Sequence, residues 1–531
     1  MILTAAVVVV KILGMLYKLP MAAIMDDFTF GLFMMAYNLY AVLLAFSTAG
    51  LPVALAKLIS EANSLEKPIQ VKRTFSMGLL AFIVFGTIGT AAMICFPTEL
   101  AAFVGDVRAS QGILMLAPSV LLCCVMSAYR GYTQGLSDMR PTAISQIIEV
   151  GVKVIFGLGI LIILTNGGAS SAVLSAGTIS GVSIGSLFAC IYIAIIAARR
   201  IKDEAKNSEG KGVDLSSEKS SVVLKNILKT GIPIAFGACV VSIVGLANTK
   251  LIVDQLQNGA GFTNDGAVEL FGVYSKALTL YSFPGSLIVP LSISVIPAIS
   301  GALALKQSKE AQEITESSLR ICAILMIPMA VGLSVLAQPI MDGLFYGSAS
   351  EGVGVLAIMG ISSFFFAMST MMTAILQASG RERLPAITIL LGGIVNVVVN
   401  WYLISMPELN VYGAAIGIAA SNLLMFALNL IFIMTKLPEK PSLKRVFLRP
   451  AINAVIMGAA AYILYPAFLQ LIGAGPDPSR IMIIVAMVAA IAIAAAIYIV
   501  LTITTKAITM DDMMLIPGGG KLAKLLRVKE N

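Results

Sequence analysis

The chain has 531 residues, of which 58% are hydrophobic and 12% charged, with a mean hydropathy of +0.95. A soluble domain carries roughly 25% charged residues, so a soluble globular protein is excluded and an integral membrane protein is indicated. The net charge of +8 comes without a single histidine, which removes the commonest general base and the commonest transition-metal ligand. With about 20 apolar residues per crossing, the spans fall at 2-25, 30-56, 75-97, 111-129, 142-165, 173-198, 230-256, 270-297, 320-342, 354-376, 385-405, 412-435, 449-470 and 481-504. The expectation is an all-α polytopic membrane protein of about fourteen transmembrane helices. Residues 1-25 read as the first of them rather than as a cleaved signal: the leading residues carry no charge, Lys11 interrupts the apolar run, and no small-x-small site precedes a polar start.

The connections alternate in charge. Asp26 and Asp27 join the first two spans, whereas the next connection holds Lys57, Lys67, Lys72 and Arg73. Glu99, Asp106 and Arg108 follow, then Arg130 and Arg140. The loop after the sixth span is the most basic, with eight cations from Arg199 to Lys229. The same alternation continues through Lys306, Lys309 and Arg320, Arg381 and Arg383, the cluster Lys436 to Arg449, and the tail. Of the 36 Lys and Arg residues, 29 fall on one side, three (Arg108, Lys250, Arg480) on the other, and four within spans. By the positive-inside rule both termini are cytoplasmic, as an even number of spans requires. The positive charge thus reports topology against an anionic leaflet, and no nucleic-acid partner is expected.

The charged segment 199-229 divides twelve helices into six and six. The expected organisation is an N-lobe at 1-198, a cytoplasmic linker at 199-229, a C-lobe at 230-435, an extra helix pair at 436-505 and a basic amphipathic tail at 506-531. The halves repeat weakly. An offset of 238 carries Leu32-Phe33 to Leu270-Phe271, Pro52 to Pro290 and Asn38 to Lys276, and offsets of 243 to 244 carry Gln134-Gly135 and Pro141 to Gln377-Ala378 and Pro385. Parallel repeats of this kind are a transporter architecture with the substrate site near the midplane. Gly177, Gly181 and Gly185, and again Gly413 and Gly417, recur every fourth residue, a close-packing signal. All six cysteines lie in apolar segments without metal-ligand spacing and read as buried small hydrophobes.

The chemistry lies in four lysines inside spans: Lys11, Lys18, Lys153 and Lys276. An intramembrane cation costs several kcal/mol and marks a site when it faces the bundle interior; snorkelling to the headgroups is the alternative for Lys11 and Lys18. Glu149 and Lys153 stand four apart with the glutamate first, which reads as an ion pair along one helix, or as a pair that an anion could open.

The run from Tyr129 to Glu149, with Arg130, Gln134, Asp138, Arg140 and Pro141 at a turn between spans and Gln377 and Arg381 at the corresponding place in the second half, resembles the hinge of polysaccharide-biosynthesis and stage V sporulation protein B-like transporters, relatives of the MurJ lipid II flippases in the MOP superfamily. Ala49-Gly50-Leu51-Pro52, Ile59-Ser60-Glu61 and Pro517-Gly518-Gly519 match as well, and the resemblance covers essentially the whole chain. It implies a MATE/MurJ-like fold of two pseudo-symmetric six-helix lobes around a central cavity, with two extra C-terminal helices forming a groove for a polyprenyl tail. It further implies a monomeric bacterial plasma-membrane flippase for a polyprenyl-diphosphate-linked glycan, surrounded by membrane lipids. Functional arginines lie on the first, second and eighth helices of MurJ-type members. Here Lys11 and Lys18 stand on the first and Lys276 on the eighth, and the second carries none. Lysine is a point charge where arginine grips phosphate with two bonds. On these grounds Lys11, Lys18, Asn38, Lys153 and Lys276 are candidate headgroup residues, Glu149 a coupling or ion-pair residue, and the turn residues a hinge. No cofactor or metal is expected, and the chain reads as a transporter rather than an enzyme. Two alternatives stand beside the flippase: a MATE-like cation-coupled multidrug exporter, and a membrane glycosyltransferase or ligase acting on the same lipids.

Overall fold

A computed structural model describes residues 17–208 and 218–508, except 349, 438, 474, 476 and 477, together with positions 10, 13 and 14. Among the described residues there is no β-strand, and thirteen helices are long and apolar enough to cross a membrane. This follows from the solvent: in hydrocarbon every backbone N–H and C=O must find its partner inside the segment. The expected first span appears as the stretch α1 (17–24), most of that span lying outside the described residues.

The first half runs through α2 (Asp27–Ala49), α3 (Leu51–Ser64), α4 (Pro68–Cys95), α5 (Pro97–Val104), α6 (Ser110–Gly135), α7 (Arg140–Asn166), α8 (Ser171–Ser208) and α9 (Ser220–Asp254). The second contains α10 (Asn264–Ala304), α11 (Ser308–Val335), α12 (Ala337–Leu344), α13 (Glu351–Ala378), α14 (Arg383–Ile404) and α15 (Asn410–Lys436), followed by the added pair α16 (Arg449–Leu471) and α17 (Arg480–Thr504). The side chain of Asp26 caps α2 by accepting from the Thr29 N–H. The second expected span is broken at Gly50, with Pro52 placed at the start of α3 where its missing N–H costs nothing. The connection expected at 98-110 holds the short helix α5, too short to register as a span.

The helices form two compact units, Met1–Asp254 with Thr263–Gly272, and Gln255–Phe262 with Val273–Asn531. The packing division thus falls at Asp254 and Gly272 rather than within 199-229, because α9 is seated on α2 and α3: Gly231 lies against Leu51, and Gly50 against the backbone of Ala235. The core of the first unit gathers Leu51, Leu55, Ile59, Phe75, Phe82, Tyr132, Val223 and Ile227. That of the second is rich in methionine, with Met326, Met368, Met371 and Met372 beside Ile288, Leu319 and Ile375. Five of the six cysteines are buried as expected, whereas Cys95, at the last position of α4, is exposed.

The repeat is visible in the turns. Between α6 and α7, Leu136 N–H donates to Tyr132, Ser137 to Gln134 and Asp138 to Thr133; between α13 and α14, Ser379 donates to Ile375, Gly380 to Gln377 and Arg381 to Leu376. Every pair is displaced by 243, and Ser137 and Gly380 share the left-handed conformation, φ 61° and 70°. The turn after α3 recurs after α10 in the same way at an offset of 240, with Glu66 and Lys306 left-handed.

The glycines at four-residue spacing do the packing expected of them. A Cβ on Gly181 would come within 2.7 Å of Gly157 Cα, and one on Gly185 would strike the Glu149 carbonyl, so α8 lies against the backbone of α7. Gly413 and Gly417 hold α15 on α14 in the same manner. Gly185→Leu should therefore overpack this seam and cost about 1–3 kcal/mol, read as a lower unfolding midpoint of the detergent-solubilised protein; an unchanged midpoint would contradict the seam.

Candidate anion-binding site

In the first unit the aromatic residues of α2 at 30, 33, 37 and 40 fall on one helical face. Phe30, Phe33, Tyr37 and Tyr40 form a ladder with ring centroids 6.1, 5.9 and 6.1 Å apart. Lys18 places its ammonium 5.1 Å from the centroid of Tyr37, and Lys153, from α7, lies 5.0 Å from that of Tyr17. Tyr37 lies in the field of both lysines. Tyr17 is fully buried: its hydroxyl donates to the Thr178 carbonyl at 3.3 Å, and its ring fills the notch above Gly157, where a Cβ would come within 2.6 Å of Cε2. Asn38, on the next residue of the ladder helix, donates to Thr249 Oγ1 at 2.9 Å and so ties α2 to α9.

In the second unit Lys276 is 2% exposed, and its ammonium sits 5.6 Å from the ring of Phe345, the residue that ends α12. Next to it the buried hydroxyl of Ser275 has no hydrogen-bond partner. Lys11 lies outside the described residues.

The expected same-helix pair between Glu149 and Lys153 is not what forms. Glu149 accepts instead from Arg130 Nη2 at 2.9 Å, across the α6–α7 turn, with the two side chains 10% and 21% exposed. Arg130 Nε donates to Ser145 Oγ at 2.9 Å. The guanidinium serves both acceptors from separate nitrogens of its rigid fork, Nε and Nη2, and Lys153 is turned to Tyr17 instead. The signal available in the sequence was that 130 and 149 lie on the two consecutive helices joined by the 136–139 turn.

The remaining hinge residues knit that turn. Asp138 accepts from the Arg140 N–H at 3.1 Å and from Arg200 Nη1 of α8 at 2.7 Å. Gln134 donates to Thr142 at 3.3 Å, and Pro141 begins α7. In the second half Gln377 and Arg381 enter the matching turn through their backbones.

The contrast between these groups defines the chemistry. Arg130 is neutralised by a carboxylate. Lys18 and Lys153 rest on aromatic faces, which soften the cost of burial by about 0.5–2 kcal/mol each but leave the positive charge uncancelled. The helical membrane bundle shares its fold with a solved multidrug resistance MATE family transporter of the MOP superfamily, TM-score 0.65 at 14% identity over 81% of this chain and 97% of that one. Residues 1–303, more than half the chain, match the polysaccharide biosynthesis protein family, and the chain belongs to that family. Residues 266–402 also match the MatE family. Among known proteins, stage V sporulation protein B of Bacillus subtilis is 26% identical, over 98% of this chain and 98% of its own length. The lipid II flippase MurJ of the same organism is 23% identical, over 94% and 93%. A solved structure of lipid II flippase MurJ in an inward closed conformation superposes with a TM-score of 0.69 at 15% identity, over 94% of this chain and 97% of that one.

Breaking a buried ion pair strands a charge and costs roughly 3–5 kcal/mol, so Arg130→Gln should lower the unfolding midpoint far more than Lys153→Gln, which gives up one ring contact of about 1 kcal/mol. Glu149→Gln placed on Arg130→Gln should recover part of the loss. If Lys153→Gln proves the more damaging and is the one rescued by Glu149→Gln, the pairing along α7 is the correct one.

Proposed function

We propose that the protein is a flippase that moves a polyprenyl-diphosphate-linked saccharide, lipid II or a related wall or polysaccharide precursor, outward across the bacterial plasma membrane by alternating access, with both termini cytoplasmic. The observation that carries this reading is the pair of first-unit lysines held on tyrosine faces rather than on carboxylates. A diphosphate brings about two negative charges into a medium of low dielectric, where unpaired ions are severely penalised; lysines whose charge is not already cancelled are the partners it needs. Lys18 and Lys153 would bind the diphosphate, and Lys11 and Lys276 are the further headgroup residues proposed from the sequence. Asn38 stands at the first-half position that corresponds to Lys276, and its amide suits a sugar hydroxyl or phosphate oxygen. Membership of the polysaccharide biosynthesis family, and relatives named as a lipid II flippase and a sporulation protein, support the same reading.

A second reading, a cation-coupled drug exporter, is favoured by the MatE match over residues 266–402. It asks for an accessible intramembrane carboxylate to attract a cationic drug, whereas Glu149 is committed to Arg130.

Lys276→Gln should abolish extrusion of a polyprenyl-diphosphate substrate from proteoliposomes while leaving folded protein in the membrane, and Lys276→Arg should keep a part of it. Lys18→Gln should reduce extrusion at least tenfold. Native mass spectrometry of the purified chain should show a polyprenyl diphosphate. Normal extrusion by both Gln variants would overturn the mechanism, and export of cationic dyes without lipid extrusion would establish the exporter.

A further inference from the structure

The second unit holds a cavity of about 740 Å³ that the transport reading does not use. It lies where four helix ends meet. The first turns of α11 supply Glu313, Glu316 and Arg320; a π-helical turn, Lys444–Leu448, supplies Lys444, Arg445 and Leu448; α16 begins with Arg449; and Lys506 follows α17. Five cations thus face two carboxylates. One carboxylate is already occupied: Glu316 accepts from the Ser442 N–H at 2.9 Å and lies 3.4 Å from Arg320 Nη1 and 3.9 Å from Arg445 Nη1. Arg449 Nη1 donates to the Lys506 carbonyl at 2.8 Å, which closes the wall on the side of α17. Lys444, Arg445 and Lys506 stand exposed at the mouth.

Residues 444, 445, 448 and 449 share one helical face, since even ordinary α-helical spacing keeps them within about 140° of arc. The wider π turn alters that register locally, and such single turns recur at functional sites. From the rim, Leu448 of the π turn and Ile452, Val455 and Ile456 of α16 face outward, 46%, 51%, 65% and 45% exposed. This apolar strip starts at the cationic mouth and runs along a membrane-spanning helix. A ligand matched to both parts has an anionic head and a hydrocarbon tail.

We infer that this cavity binds the phosphate headgroup of an anionic phospholipid, such as phosphatidylglycerol, with the acyl chains lying along α16. Basic pockets at the ends of membrane helices take anionic headgroups by this combination of charge and depth. The site uses none of the residues assigned to cargo, so it stands or falls independently of the flippase reading.

The test places the full-length purified chain in nanodiscs of phosphatidylcholine with or without phosphatidylglycerol, and counts the phosphatidylglycerol molecules retained after mild detergent extraction by native mass spectrometry. The wild-type chain should retain phosphatidylglycerol and unfold at a higher temperature in its presence. Lys444→Gln with Arg445→Gln should cut retention at least fivefold and abolish the thermal shift, whereas the charge-keeping pair Lys444→Arg with Arg445→Lys should preserve both. Lys72→Gln with Lys225→Gln removes the same number of exposed charges from the first unit and should change neither. Retention unaffected by the Lys444 and Arg445 substitutions, or lost equally in the first-unit pair, overturns the site. If inorganic phosphate at millimolar concentration reproduces the thermal shift in phosphatidylcholine alone and displaces phosphatidylglycerol, the cavity is a soluble-anion site and the lipid assignment is overturned.

Discussion

The structure depends on how a cation is kept out of both water and hydrocarbon. Two solutions coexist within one unit. Arg130 meets Glu149 and Ser145, which satisfies its donors and cancels its charge. Lys18 and Lys153 meet tyrosine rings, and a ring attracts through its quadrupole, whose field falls away much faster than that of a point charge. At the distance of a bound ligand the first arrangement is electrically silent and the second is not. The same bundle therefore contains a cation cancelled by a carboxylate and cations that keep their charge, separated by the partner each is given.

The large features of the fold were legible because lipid imposes them. A span must be apolar over its length, so every described crossing falls on an expected run, and the basic loops mark its ends. The errors sit where local rules compete. Gly50 interrupts a continuous apolar run that hydropathy alone cannot divide, and α5 and α12 are too short for any window. At the candidate site the lysines were legible as anomalies, but their partners were not. Spacing of four suggested Glu149 with Lys153; the antiparallel return of α7 on α6 brings Arg130 instead, a neighbour that is distant along the chain and close through the turn. Tyr37 was signalled by the aromatic spacing at 30, 33, 37 and 40, which is a face and not merely a composition.

Repetition is preserved in backbone hydrogen bonds more faithfully than in side chains. The α6–α7 and α13–α14 turns share three bonds residue for residue, though Leu-Ser-Asp stands in one and Ser-Gly-Arg in the other. A left-handed residue closes each, glycine in one copy and serine in the other, with the serine accepting a strain that glycine avoids. What the two copies hold in common is thus the direction in which the chain reverses. The charges placed on that frame have diverged, as Asn38 and Lys276 show.

Tyr17 joins two of these themes. Its ring is wedged over Gly157, in the groove between α7 and α8, and its hydroxyl is fastened to the Thr178 carbonyl, while the same ring carries Lys153. The glycine seam makes α7 and α8 a single stiff plank, and Tyr17 is the key by which the first helix engages it. Turning that helix withdraws the key, and in doing so strips Lys153 of the only face that shelters its ammonium among the aromatic contacts described for it. Helix rotation and unmasking of positive charge are then one mechanical event, and under the proposed function an anion bound to Lys153 would also hold the helix in its turned position.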